Sequence, residues 1–383
     1  MSKETLSPHE GLTTFELIEI FVKLIGTPKH KTALMLWGQT GTGKSQIQRQ
    51  ILQKLAGDAK VWKPKAKIET SGALEVVGDW GLVDLRASLL EPTDLRGLPD
   101  LHKDTVRWVA PEELPLVGRE EYFPEKGILF LDEFNHAQPA MQSACFSLVL
   151  DRRIGPHILL PGWKIVAASN YSKENAFTYQ MSDPLRNRFE HFHLRCSLEA
   201  FKQWGLENGI DTKIIAFLNW NPTYLHKPTE AKEESFPTPR TWANANFSLN
   251  NFTNGHVQRV LESNLGPGAA AMFKGFLDLF DKPEIKINIA EMLKGKAKSP
   301  TFTTENPDIA WAFTACITGH VKEKPELLSE AIAYYCSDSW KKAVEIGRTG
   351  LSDLKLAFGD KFAPAAEKHL SAITNRYKEV LQA

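Results

Sequence analysis

An excess of charge of either sign is the first thing this chain lacks: Lys+Arg and Asp+Glu both number 46 in 383 residues. A balanced chain has no whole-molecule field to draw it to nucleic acid or to an anionic membrane, although a local basic patch is not excluded. Cysteine is scarce. Cys145, Cys196, Cys316 and Cys336 are scattered, with no CxxC pair and no metal-ligand spacing, and they read as reduced thiols. No apolar run is long enough to span a bilayer, and Met1-Ser2-Lys3-Glu4-Thr5 lacks the apolar core of a signal peptide. A cytoplasmic location is therefore expected. At 42% hydrophobic and 24% charged residues, the composition is that of an ordinary globular protein. The length calls for two or three domains.

What the chain does contain is Gly38-Gln39-Thr40-Gly41-Thr42-Gly43-Lys44-Ser45, which fits G-x-x-x-x-G-K-[ST]. The context that the motif requires is present. Ala33-Leu34-Met35-Leu36-Trp37 is an apolar run of strand length, and Ile47, Ile51, Leu52 and Leu55 recur on one helical face. Glycines allow backbone conformations closed to other residues, so consecutive N–H groups can turn inward around an anion. A helix beginning near Lys44 adds the positive end of its dipole. In such a loop Lys44 reaches the β- and γ-phosphates of a nucleotide and the Ser45 hydroxyl binds Mg²⁺.

The second strong signal is Gly127-Ile128-Leu129-Phe130-Leu131-Asp132-Glu133. Unbroken apolarity fits a strand buried on both faces of a parallel sheet, and carboxylates at its C-terminal end lie where ligands bind in such sheets. Asp132 is expected to hold Mg²⁺ through water and Glu133 to act as general base, since neighbouring side chains on a strand point in opposite directions. A helix follows over Ala140–Leu150, then two short extended arms at 151–155 and 158–162. The apolar strand Trp163–Ser169 ends at Asn170, placed to align a lytic water beside Glu133 or simply to cap the strand. In Asp183-Pro184-Leu185-Arg186-Asn187-Arg188-Phe189, the arginines either face solvent or serve a phosphate in trans, where a planar guanidinium matches phosphate oxygens.

Elsewhere the reading is coarser. Phe15, Ile18, Phe21, Val22 and Ile25 form a helical stripe that stops at Gly26-Thr27-Pro28. It is either simple packing beside the nucleotide domain or also a cover for the adenine. Trp80–Leu85 reads as a strand, and Glu91–Pro99 as a long loop, functional or merely connecting. After about residue 196 helical periodicity takes over: helices open at Leu198 and Ile214, and others cover Asn251–Leu261 and Ala269–Phe280. Lys282–Pro307 is rich in Lys and Pro and reads as a linker. Leu327, Leu328, Ala331, Ile332 and Tyr335 give one amphipathic face.

The order of these motifs, with Arg240 after Pro239, resembles the AAA+ ATPases. More narrowly it resembles the MoxR-like branch, in the group with a helix 2 insert and a β-hairpin before sensor 1. The resemblance covers roughly residues 13–280 and does not extend to 282–383. It matches Gly38–Ser45 to Walker A, Leu131-Asp132-Glu133 to Walker B, Asn170 to sensor 1, Arg188 (or Arg186) to the arginine finger and Arg240 to sensor 2. It implies an α/β P-loop core with a parallel sheet flanked by helices over 1–196, a helical lid over 197–281 and a helical C-terminal extension over 282–383. It also implies ATP and Mg²⁺ as cofactors and a homo-oligomeric, usually hexameric, ring with ATP bound between subunits. In that ring Arg188 comes from the neighbouring subunit. The family typically remodels or activates protein complexes, often with a von Willebrand factor A domain partner. Two other readings remain. A nucleic-acid motor is disfavoured by balanced charge and the lack of a DNA-binding motif. A nucleotide-gated interaction module that hydrolyses slowly is disfavoured by Glu133 and Arg188.

Overall fold

The apolar runs of the first half become strands of one sheet in the computed structural model. It describes residues 11–65, 74–101, 106–171, 178–228, 234–252, 256–303, 305 and 307–377. The chain divides into two units, Met1–Cys196 and Ser197–Ala383.

In the first unit, α1 (Thr14–Gly26) leads into β1 (Ala33–Gly38) and α2 (Lys44–Ala56). Next come β2 (Leu74–Val77), β3 (Trp80–Arg86), α3 (Pro92–Arg96), β4 (Leu98–Asp100) and β5 (Arg107–Val109). The unit continues with β6 (Lys126–Asp132), α4 (Pro139–Asp151), β7 (Arg153–Ile154), β8 (His157–Ile158), β9 (Gly162–Ser169), α5 (Asp183–Arg186) and β10 (Phe189–Leu194). Six strands form one sheet in the order β10-β1-β9-β6-β3-β2. Every neighbouring pair is parallel except β2–β3. The fold is therefore mixed α/β with a mostly parallel central sheet.

Alternation along each strand decides what covers it. Leu34, Leu36, Ile128, Phe130 and Val166 join one core with Leu17 and Phe21 of α1 and Ile47 and Ile51 of α2. Met35, Leu129, Leu131, Ile165 and Ala167 join a second core with Met141, Cys145 and Leu148 of α4. Helices on both faces explain why β1 and β6 read as unbroken apolar runs and β9 as one interrupted only by Lys164. One row across the sheet shows why glycine is needed. Gly81, Gly127 and Trp163 lie side by side on β3, β6 and β9. A Cβ on Gly127 would fall 2.7 Å from the Trp163 ring and 2.6 Å from the Gly81 carbonyl oxygen. The buried indole lies over bare backbone and donates its N–H to Pro124 O at 2.8 Å.

The expected long loop at Glu91–Pro99 is instead structured. Pro92 opens α3, where the Glu91 N–H donates to Asp94 Oδ2 at 2.8 Å, and Leu98–Asp100 pairs with Arg107–Val109 as an antiparallel hairpin. The strands are three residues each, too short for a periodicity. Of the arms expected at 151–155 and 158–162, Arg153–Ile154 pairs with His157–Ile158 as the β7–β8 hairpin, while Asp151 ends α4 and Gly162 opens β9.

Among its described residues the second unit has helices and no strand: α6 (Leu198–Glu207), α7 (Thr212–Trp220), α8 (Pro239–Asn251), α9 (Val257–Leu265), α10 (Pro267–Leu277), α11 (Ile289–Leu293), α12 (Pro307–Glu323), α13 (Leu328–Tyr335), α14 (Val344–Phe358), α15 (Phe362–Ala366) and α16 (Leu370–Arg376). Ser197, Asp211 and Thr238 cap α6, α7 and α8 through their side-chain oxygens. The helix expected over Asn251–Leu261 is divided between α8 and α9, and residues 253–255 lie outside the described set. The expected linker at Lys282–Pro307 is part of the core: Ile285, Ile289, Met292, Leu293 and Phe302 are all buried, and Phe302 lies 4.4 Å from Trp340 between ring centroids. The α-helix in this stretch, α11, is only five residues long, too short for its apolar spacing to stand out among the lysines and turns.

Inside this unit Lys202 Nζ of α6 meets Asp353 Oδ1 of α14 at 2.5 Å, and Asn219 of α7 donates to Asp353 Oδ2 at 2.7 Å. Removing one partner of a buried pair strands the other charge, whereas removing both often does not. Lys202→Met is expected to lower stability by about 3 kcal/mol, with Lys202→Met/Asp353→Leu recovering most of it. Urea denaturation of the two variants checks this, and equal stability of the single variant and wild type would contradict it.

Candidate functional site

Parallel strands bring their C-terminal ends to one side of the sheet. β9 lies between β1 and β6, so Asn170 emerges between the loop after β1 and the carboxylates after β6. This is the crevice position at which open α/β sheets bind ligands.

Gly38–Ser45 turns sharply from β1 into α2. Gly41 has φ 77° and Gly43 φ 84°, and Gly43 serves as the N-cap of α2. The left-handed glycines let the loop close on itself, with the Thr42 hydroxyl donating to Gln39 O at 2.8 Å. Lys44, 9% exposed, donates from Nζ to Gly38 O at 2.9 Å, to Gln39 O at 3.0 Å and to Asn170 Oδ1 at 2.6 Å. The Ser45 hydroxyl donates to Asp132 Oδ2 at 2.7 Å. Lys44, Ser45, Asp132 and Asn170 are thus brought together from three elements. The adjacent hydroxyl and carboxylate oxygens form a donor set suited to Mg²⁺, which takes few protein oxygens and keeps water.

Glu133 has φ 55° and ψ 36°, a left-handed conformation for a residue with a Cβ. Such a conformation costs on the order of 1–2 kcal/mol and persists only where its surroundings impose it. Here the Glu133 N–H donates to Asp132 Oδ1 at 2.8 Å, and the Ser88 hydroxyl donates to Glu133 Oε2 at 2.6 Å. The turn thereby directs the two carboxylates to different partners, Asp132 to Ser45 and Glu133 to Ser88.

Ser88 and Asn135 escaped the sequence reading. Asn135, 4% exposed, donates from Nδ2 to the Asn170 carbonyl at 2.7 Å and holds the end of β9 against the turn after β6. Nothing in its local pattern marks it, but its place two residues beyond Glu133 puts it beside the site. Ser88 follows β3 as Asn170 follows β9, the positional signal that could have found it.

Arg186 and Arg188 make contacts within their own turn and on α4. Arg186 pairs with Asp183 on α5. Arg188 lies over the Phe146 ring at 4.1 Å from its centroid and donates to Pro184 O. Arg240 belongs to the second unit, exposed in the first turn of α8 behind the Thr238 cap.

No family model matches the chain, and no curated protein does. Among solved structures, NtrX from Brucella abortus, in complex with ADP, is similar at 13% identity, covering 99% of this chain and 70% of its own with a TM-score of 0.33. The RuvB Holliday junction branch migration motor of Thermotoga maritima is similar at 13% identity, covering 73% of this chain and 74% of its own, also with a TM-score of 0.33. Both likenesses are distant, and the site rests on its own geometry.

Asp84 of β3 adds a pH dependence. Burial, and secondarily the neighbouring Asp132, push its carboxyl above the usual range, with Arg49 and Arg86 only partly offsetting this. A carboxyl raised in the folded state is stabilising when protonated. That contribution is complete below its unfolded value, about 3.9, and is lost as pH rises through the folded one. Asp84→Asn is therefore expected to raise the melting temperature by up to a few degrees at pH 7, with the gain vanishing near pH 4. A gain that grew on acidification would contradict the assigned cause.

Proposed function

We propose that this protein hydrolyses ATP as a ring-forming ATPase of the AAA+ type, similar to the MoxR-like branch, and uses the cycle to remodel or activate a protein complex. The observation that carries the reading is the convergence of Lys44, Ser45, Asp132 and Asn170 at the end of β9, with Glu133 turned aside onto Ser88. Loop N–H groups and the α2 N-terminus bind phosphate oxygens, and the Lys44 ammonium adds charge at the β- and γ-phosphates. Ser45 and Asp132 are the residues that would hold Mg²⁺, which would supply positive charge to neutralise the charge that develops on the phosphate oxygens. Glu133 Oε1 or Oε2 accepts the proton of the attacking water, and Asn170 orients that water.

Arg188 and Arg240 complete the reading. Arg188 acts on the phosphate of a neighbouring subunit in a homo-oligomeric, hexameric ring, and Arg240 senses the γ-phosphate from the helical region over 197–281. The client is a protein, with a von Willebrand factor A domain protein as partner. Among the described residues no helix is long and apolar enough to cross a membrane.

Two experiments test this. Glu133→Gln should bind ATP like the wild type while turnover falls roughly 10²-fold or more, and Lys44→Ala should lose binding itself. Wild-type turnover in Glu133→Gln, or unchanged affinity in Lys44→Ala, would sink the assignment. Arg188→Ala should lower hydrolysis by about 10³-fold, and mixing it with Glu133→Gln, which retains its arginine, should restore turnover. Mixtures no more active than the separate variants would rule out action in trans.

A further inference from the structure

Four rings stack at the β10 side of the sheet on the face of the Met35–α4 core. Trp37 of β1 is stacked with His191 and His193 of β10 at centroid distances of 6.0 and 6.5 Å. Tyr171, which follows Asn170, is stacked on His193 at 5.9 Å with an interplanar angle of 6°. Trp37 immediately precedes the phosphate loop, and β10 immediately follows the arginine-bearing turn. The stack therefore joins the residue before the phosphate loop, the residue after Asn170 and the strand after the arginine turn.

His191 makes the polar connection between two of them. The Trp37 indole N–H donates to His191 Nδ1 at 2.8 Å, and His191 Nε2 lies 2.8 Å from the Arg186 carbonyl oxygen. An indole nitrogen only donates and a carbonyl only accepts, so Nδ1 must be bare and Nε2 must carry the proton. The ring is a bridge in its neutral Nε2–H form. Protonation at Nδ1 would set two donors against each other and break the contact to Trp37.

We infer that His191 is a positioning residue for the arginine turn, holding residues 186–188 in a fixed place relative to the phosphate loop through its neutral imidazole. This rests on the ATPase reading above. The charged and titratable groups placed around it are few. His193 lies on its own strand, and Tyr171 approaches through His193. Arg186, with its partner Asp183, is on the turn. Glu190 faces the other side of β10, where it meets His30 at 2.9 Å. Burial, and then the proximity of His191, hold His193 below its usual value.

A Gln at 191 offers one acceptor and one donor about as far apart as the two ring nitrogens, without a titratable proton. A Phe keeps the stack and offers neither. The ATPase kcat and KM of the full-length wild type, His191→Gln and His191→Phe are to be compared between about pH 5.5 and 8, where a histidine changes charge. His191→Phe should lower kcat by roughly threefold to tenfold, with KM for ATP unchanged. His191→Gln should restore most of the neutral-pH kcat, and the ratio of wild-type to Gln kcat should fall on acidification. Phe turnover equal to wild type, or a flat wild-type-to-Gln ratio, would overturn the inference while leaving the ATPase reading intact. If the Phe variant does not fold, the ratio alone decides. A wild type without turnover at any pH would overturn both.

Discussion

A charged lysine side chain that is only 9% exposed sets the terms for the first unit. Burying an ammonium is costly unless its N–H groups all find acceptors. Lys44 meets this condition by reaching Gly38 O and Gln39 O at the start of its own loop and Asn170 Oδ1 at the end of another strand. These acceptors converge only because β1 and β9 are parallel neighbours with Trp37 opposite Ser169. In that register Gly38 and Asn170 leave the sheet together. Shift the register by one residue and every apolar side chain of β9 would change face while Asn170 left the lysine.

The same sheet distributes the remaining roles. β6 lies on the other side of β9, so Asp132 arrives within reach of Ser45 at the start of α2. Glu133 would continue the strand were it not for its left-handed turn, which directs it to Ser88. The backbone is strained where two adjacent carboxylates must face different partners. At the far edge, the Trp37–His191–Arg186 contacts link the loop strand to the turn that carries the arginines. The loop is thus tied to Asn170 through a lysine and to the arginine turn through a histidine.

The phosphate loop and the Asp132-Glu133 pair were legible because each is contiguous, and its strand context lies in the adjoining residues. So were β1, β6 and β9, whose burial on both faces leaves apolar runs broken only by Lys164 of β9, and β3, apolar from Trp80 to Leu85 except at Asp84. What was not legible depends on distance along the chain. Ser88 lies 45 residues from Glu133, Asn135 lies 35 from Asn170, and Trp37 lies 154 from His191. The segment 282–307 misled because its buried apolar residues lie on a helix of only five residues and in turns among lysines, too short a stretch for a period to stand out, although they pack as core.

Local chemistry therefore determined by itself that this chain has a strand–glycine loop–helix able to cradle phosphate and a buried strand ending in two carboxylates. Backbone freedom at glycine and period-2 or period-3.6 burial are properties of neighbouring residues. Which side chains meet was decided only by the tertiary structure. Placing β9 between β1 and β6 chose Asn170 as the partner of Lys44, the turn at 133 chose Ser88 as the partner of Glu133, and the pairing of β10 with β1 chose His191 as the link to the arginines. Those choices follow from strand order and register, which no stretch of residues encodes alone.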